Sequence, residues 1–205
     1  MATERQSPDI LITQTNLNGT ISDIQDDPNS PDGNWLVPID NGTDIVCRVS
    51  FPIPIGNPTQ GAGLQQFQIW VKRVFSGTPK TPTVRIELRE TGGGVALSTP
   101  LANTNVTDDS GILLNGTWDA NLLTNANGSA VECYIYGTKN SAGSNKSTIG
   151  VGAVEWNVTY TGEAQQFYQG VGGAISFSSN QIQHGVFIIN IGTVDVDYIK
   201  KGRVQ

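Results

Sequence analysis

The chain has 205 residues, a formal net charge of −6 and 15% charged residues, against about 25% in ordinary domains. That length can bury a core without metals or disulfides. The acidic balance, with no Lys/Arg run longer than the pairs Lys72-Arg73 and Lys200-Lys201, argues against a direct nucleic-acid binder, which needs basic stripes to displace counterions.

The N-terminus, MATERQSPD, lacks the apolar stretch of a secretory signal, so the expectation is a protein made in a cytoplasm and used as it stands. VFIINI is the longest apolar run, far short of the ~20 residues of a membrane span. Residues 1–15 read as an extended arm. Ile10, Leu11 and Ile12 within it have few local partners and suit strand addition to a neighbour.

The stretch DIQDDPNSPDGNWLVP, Asp23 to Pro38, crowds aspartates beside prolines and Asp-Gly. An EF-hand needs ligands at alternate positions followed by glycine. From Asp27 those positions are Asn29 and then Pro31, which has no ligating side chain. The turn reading fits better: proline's fixed φ suits position i+1 in DDPNS and again in SPDG. Trp35 is then expected to plug one end of the core.

Strand patterns follow. Ile45, Cys47, Val49 and Phe51 alternate with polar residues, as do Phe67, Ile69 and Val71 against Gln66, Gln68, Trp70 and Lys72. Val84, Ile86 and Leu88, and then Val131, Cys133 and Ile135, repeat the pattern, and GAVEWNVTY continues it. Period two marks half-buried antiparallel strands. Both cysteines fall on inward faces and read as buried, inert thiols. FSGTPKTP and ETGGGVA read as hairpin tips, and residues 137–150 as a mobile polar loop. TWDANLL offers one possible helical turn with Asp119 as N-cap. Helix signals are otherwise thin. The fold expected is an all-β antiparallel sandwich over residues 16–161, with a β-rich extension over 162–205. In that extension Phe187, Ile188, Ile189 and Ile191 form a run apolar on both sides, which needs cover on both faces.

Reactive constellations are sparse. His184 is the one histidine; no Cys/His spacing suggests zinc, and no phosphate-binding glycine loop or nucleophile elbow is visible. No metal, cofactor or catalytic set is expected. Glu87, Glu132 and Glu155 oppose the apolar residues of their strands and should face solvent or another subunit. Seven Asn-x-Ser/Thr sequons, at Asn18, Asn41, Asn105, Asn115, Asn127, Asn145 and Asn157, reflect an Asn/Thr-rich surface.

The ordered blocks TNLNGTISDIQDDPNSPDGNWL, RVSFPIPIGNPTQGAGLQQFQIWVKR, TPTVRIELRE, GTWDANLL and VGAVEWNVTY resemble those of a family of small, acidic β-sandwich virion proteins of tailed bacteriophages. The resemblance spans about residues 8–161. It implies a jelly-roll-like sandwich and a place in the particle, first as a capsid decoration (cement) protein on the outside of the head. The implied partners are the major capsid protein and further copies of the chain, a trimer being favoured. On this reading Ile10, Leu11, Ile12, Phe187, Ile189 and Ile191 form the assembly interface. The alternative is a tail or fibre component that binds host carbohydrate through aromatics such as Trp70, Tyr134, Tyr136 and Tyr160. An enzyme, such as a glycan depolymerase, is the third hypothesis. No direct nucleic-acid or membrane partner is expected.

Overall fold

The computed structural model describes residues 2–54, 64–90, 96–119, 122 and 131–160. Within them, twelve strands and one short 3₁₀ turn follow the alternation of the sequence. The strands are β1 (Ala2–Gln6), β2 (Ile10–Thr15), β3 (Leu17–Asn18), β4 (Val37–Pro38), β5 (Ile45–Ser50), β6 (Leu64–Ser76), β7 (Thr83–Glu90), β8 (Ser98–Asn105), β9 (Ile112–Asp119), β10 (Val131–Thr138), β11 (Asn140–Ala142) and β12 (Asn145–Tyr160).

The first sheet runs β1-β12-β6-β9, with β11 paired to β12; the second runs β2-β5-β10-β7-β8. All strand pairs in both are antiparallel. Setting aside β2 to β4 and β11, the chain changes sheet at every step but β7 to β8, so that the first and last of the remaining eight strands pair, as do the second and seventh. That is the strand order of a jelly roll. The all-β sandwich expected from alternation is the fold observed.

Between the sheets lies one core. Ile45, Cys47, Val49 and Phe51 of one sheet face Phe67, Ile69, Val71, Val154, Trp156 and Val158 of the other, all buried. Phe51 meets Phe67 and Trp156 edge-on, with ring centroids 5.7 and 6.2 Å apart, the geometry favoured by the ring quadrupole. Cys47 and Cys133 are buried and unpaired with each other, and burial pushes the Cys47 thiol up to about 12. Gly116 of β9 lies against the Pro100 carbonyl of β8; a Cβ there would sit 2.2 Å from that oxygen. The two sheets thus come together closely along that side.

Several local expectations are corrected. The segment expected as an arm supplies two edge strands instead: β1 pairs with β12, and β2 with β5. In-chain partners at residues 46–50 and 156–160 satisfy the backbone that looked unpartnered in sequence. FSGTPKTP is no hairpin tip, because β6 and β7 belong to different sheets; it carries the chain across the sandwich. Residues 137–150 contain a regular hairpin, β11 to β12, turning at Gly143 with φ +61°, a conformation glycine adopts freely. TWD continues β9 through Asp119 rather than starting a helix. The 3₁₀ turn Ile21–Ile24, whose Asp23 carboxylate accepts from the Thr20 N–H at 2.6 Å, had only the weak signal of threonine three residues before aspartate.

In the Asp23–Pro38 stretch, Ser30 N–H donates to the Asp27 carbonyl at 2.9 Å, closing the first expected turn around Pro28. The second closes through a side chain: the Asp32 carboxylate accepts from Asn34 N–H at 2.7 Å, with Gly33 at φ +93°. Trp35 is not the core plug. Leu36 is, fully buried and bridged to Val151 through two backbone hydrogen bonds of 2.7 and 3.1 Å. The one-residue offset follows from that bridge, which turns Leu36 inward and Trp35 outward.

Candidate binding faces of the sandwich

A bulge in β12 decides what the first sheet shows to its surroundings. Val151 pairs with Val71 and Ala153 with Trp70, leaving Gly152 as the extra residue. The parity of β12 therefore switches. Val154, Trp156 and Val158 turn inward, and Glu155, Asn157 and Thr159 turn outward. Opposite them on β6, Gln66, Gln68 and Trp70 also face out, as alternation predicts.

With Thr3 and Arg5 of β1 and Asn29, the outward Gln66, Gln68, Glu155, Asn157 and Thr159 line an open groove of about 450 Å³. An amide chain crosses three strands. Asn157 Nδ2 donates to Gln68 Oε1 at 2.9 Å, and Gln68 Nε2 donates to Asn115 Oδ1 at 2.7 Å. Arg5 reaches over the floor from β1, donating from Nε to Glu155 Oε2 at 2.8 Å and from Nη2 to Asp27 at 2.9 Å. The Asn29 N–H, and then Arg5, hold the Asp27 carboxyl below its usual range. The turn around Pro28 is so pinned against the sheet. Glu155 is 1% exposed, and its Oε1 has no hydrogen-bond partner among the described residues.

Beyond Gln68 on the same face, Trp70 and Trp35 are both half-buried. A Cβ on Gly152 would lie 2.8 Å from the Trp35 ring and 3.0 Å from Trp70, so the glycine of the bulge is what lets both indoles lie down there. Lys72 Nζ sits 4.3 Å from the centroid of Trp35, and burial lowers its pKa.

The outer face of the second sheet is built differently. Arg48 donates from Nε and Nη2 to Glu132 Oε2 at 3.0 and 2.7 Å. Arg89 and Arg85 flank Glu87, at 2.8 Å for Arg89 Nε and 3.2 Å for Arg85. Tyr134 and Tyr136 stack with centroids 6.2 Å apart. Arg85 lies 4.4 Å from the Tyr136 centroid and Arg89 4.5 Å from that of Tyr134, within cation–π range. Burial, and next the Glu132 charge, raise the Tyr134 pKa.

The glutamates refine the expectation that they face solvent or another subunit. Glu87, Glu132 and Glu155 do oppose the core, but they are 6%, 2% and 1% exposed, each beneath at least one arginine. Alternation gives the face of a side chain; only strand pairing gives what lies over it. Trp70, Tyr134 and Tyr136 lie on outer faces as expected, though Trp70 and the tyrosine pair lie on opposite faces of the sandwich. Of the expected interface residues, Ile10 and Ile12 are exposed on edge strand β2, at 54% and 36%, whereas Leu11 packs on the core. Phe187, Ile189 and Ile191, with His184, lie outside the described residues, as does the Tyr160 side chain. The groove went unread in sequence: Arg5 and Glu155 are 150 positions apart. Its signal was the outward amide parity of β6, which needed the β6–β12 pairing to become a site.

No family model matches the chain, and no curated protein matches it. Among solved structures it is similar to the enzymatically active domain of tailspike protein 4 of bacteriophage CBA120. Identity there is 14% and the TM-score 0.37; the match covers 76% of this chain but 19% of that one. It is also similar to the CBM22-1 xylan-binding domain of Paenibacillus barcinonensis Xyn10C, with 16% identity and a TM-score of 0.30, covering 57% of this chain and 74% of that one.

Proposed function

We propose that this protein is a structural, non-catalytic component of a tailed-bacteriophage particle that works by binding. Its first placement is decoration of the head, docked on the major capsid protein and assembled with copies of itself. The observation that carries this reading is the arginine–tyrosine face of the second sheet. Arginine and tyrosine are, with tryptophan, the residues enriched at interface hot spots. Here three arginines are held by buried glutamates and two stacked tyrosines lie against them, so little side-chain entropy remains to be lost on docking. Adjoining β5 of this sheet, β2 offers an open edge carrying exposed Ile10 and Ile12, suited to strand addition. The blocks that carry the resemblance to phage virion proteins build β5, β6, β7, β9 and β12 of the sandwich.

A ligand that binds only the assembled shell stabilises it by mass action. Purified expanded heads lacking the protein should therefore take it up at a fixed ratio and withstand more heat, and Arg85→Glu with Tyr136→Ala should abolish uptake. Heads that bind none would contradict the placement. The second reading, a tail or fibre component for host attachment, is favoured by the groove on the opposite face; uptake by tails and not heads would select it.

A further inference from the structure

We propose that the groove on the first sheet binds a neutral saccharide, wherever in a particle the protein sits. Four observations point to that chemistry. The lining is made of primary amides and hydroxyls, Gln66, Gln68, Asn157, Thr3 and Thr159, which both donate and accept and so match the vicinal hydroxyls of a sugar. The amides are already ordered by the chain of hydrogen bonds from Asn157 through Gln68 to Asn115, which lowers the cost of binding. Arg5 is shared between two carboxylates, Glu155 and Asp27, so the charges of the groove do not favour an anion. Finally, the Glu155 carboxylate is 1% exposed, with Oε1 shut from solvent, so the groove presents amide, hydroxyl and guanidinium groups to a ligand rather than a free carboxylate. The groove volume of about 450 Å³ falls within the ~300–1,000 Å³ of small-ligand sites. On the same strand and face, half-buried Trp70 lies next beyond Gln68, within the span of a longer ligand.

The test uses the full chain against immobilised cellohexaose, xylohexaose, maltohexaose, chitohexaose and neutral bacterial O-polysaccharides, with heparin hexasaccharide as the anionic counterpart. The expected result is binding to at least one neutral glycan at a dissociation constant of about 1 mM or tighter, and none to heparin. Asn157→Ala and Gln66→Ala should each weaken it roughly tenfold, the scale of a lost hydrogen bond, and exposed Gln66→Ala should do so with an unchanged unfolding midpoint. Tyr136→Ala, on the far face, should leave it intact. No neutral glycan bound, preferential binding of heparin, or binding lost in Tyr136→Ala but not in the groove variants would each overturn the proposal. None of these results depends on capsid uptake, so the saccharide site and the head placement fail separately.

Discussion

Glu132 on one outer face and Glu155 on the other are both shut from water, and each gives a single carboxylate oxygen to two N–H groups of an arginine. Their surroundings differ. Arg48 over Glu132 is itself mostly covered, at 26% side-chain exposure, and Tyr134 adds a hydroxyl donor at 3.3 Å. Arg5 over Glu155 is 53% exposed, splits its charge with Asp27, and stands at the rim of a groove. The first arrangement is sealed and rigid, as a docking surface should be. The second leaves a buried acceptor unmet beneath a more exposed arginine, beside a groove lined by amides and hydroxyls. The same ion pair thus stiffens one face and prepares the other.

The largest expected effect tests the sealed side. Arg48→Ala takes two guanidinium donors from the buried Glu132 carboxylate, and breaking a buried pair from one side costs about 3 kcal/mol. The melting temperature should fall by roughly 6–12 °C for a chain of this size. Arg5→Ala should cost only about 1 kcal/mol, because water entering the groove solvates Glu155 once the exposed guanidinium is gone. Equal losses in calorimetry would erase the distinction between the faces.

Gly152→Ala comes next. Its methyl would collide with Trp35 and Trp70, and overpacking costs about 1–3 kcal/mol. The expected readout is a change in tryptophan fluorescence together with a lowered urea midpoint. The second sheet should be undisturbed, so uptake by heads should persist where the fold survives.

A smaller effect is acid sensitivity. Asn29, Asn34 and Gly42 N–H groups hold Asp27, Asp32 and Asp40 below their ordinary value of 3.8, and the Arg73 guanidinium does the same for Asp109. A depressed folded pKa contributes stability that is complete above the unfolded value and lost as pH falls through the folded one. Stability should therefore be flat from about pH 5 to 7 and decline below about pH 4. Asp27→Asn should make that decline shallower, measured by urea unfolding at each pH. The smallest signal is chemical: native Cys47 and Cys133 should resist thiol reagents at pH 8 and react only on unfolding, because the reactive thiolate is scarce when burial raises the pKa.

How far the sequence was legible follows from the range of each interaction. Alternation is local, and it placed Cys47, Phe67, Ile86 and Val154 in the core and Gln68, Trp70 and Tyr134 outside. Turn chemistry is local too, and the Pro28 turn formed where proline and aspartate implied it. What joins β1 to β12, or Arg5 to Glu155, is pairing across most of the chain, and no local pattern encodes it. Hence the first strands looked like a free arm, and the crossing from β6 to β7 looked like a hairpin. Trp35 misled for a different reason: a large aromatic is a good core candidate by composition, but the bridge between Leu36 and Val151 fixed its neighbour inward. Of the groove residues, Gln66, Gln68 and Glu155 were read on the right face, but Thr3 and Arg5 were read as arm, and the union of all of them waited on the β1–β12 pairing and the bulge at Gly152.

The central claim is that one face docks on the particle while the other stays open to ligand. A cryo-electron microscopy reconstruction of the intact particle tests it most directly. The account predicts the sandwich on the head exterior, with Arg85, Arg89, Tyr134 and Tyr136 covered by capsid protein and Gln66, Gln68 and Asn157 facing outward. A sandwich seated with its groove against the shell and its tyrosines in solvent, or absent from the particle, would contradict it.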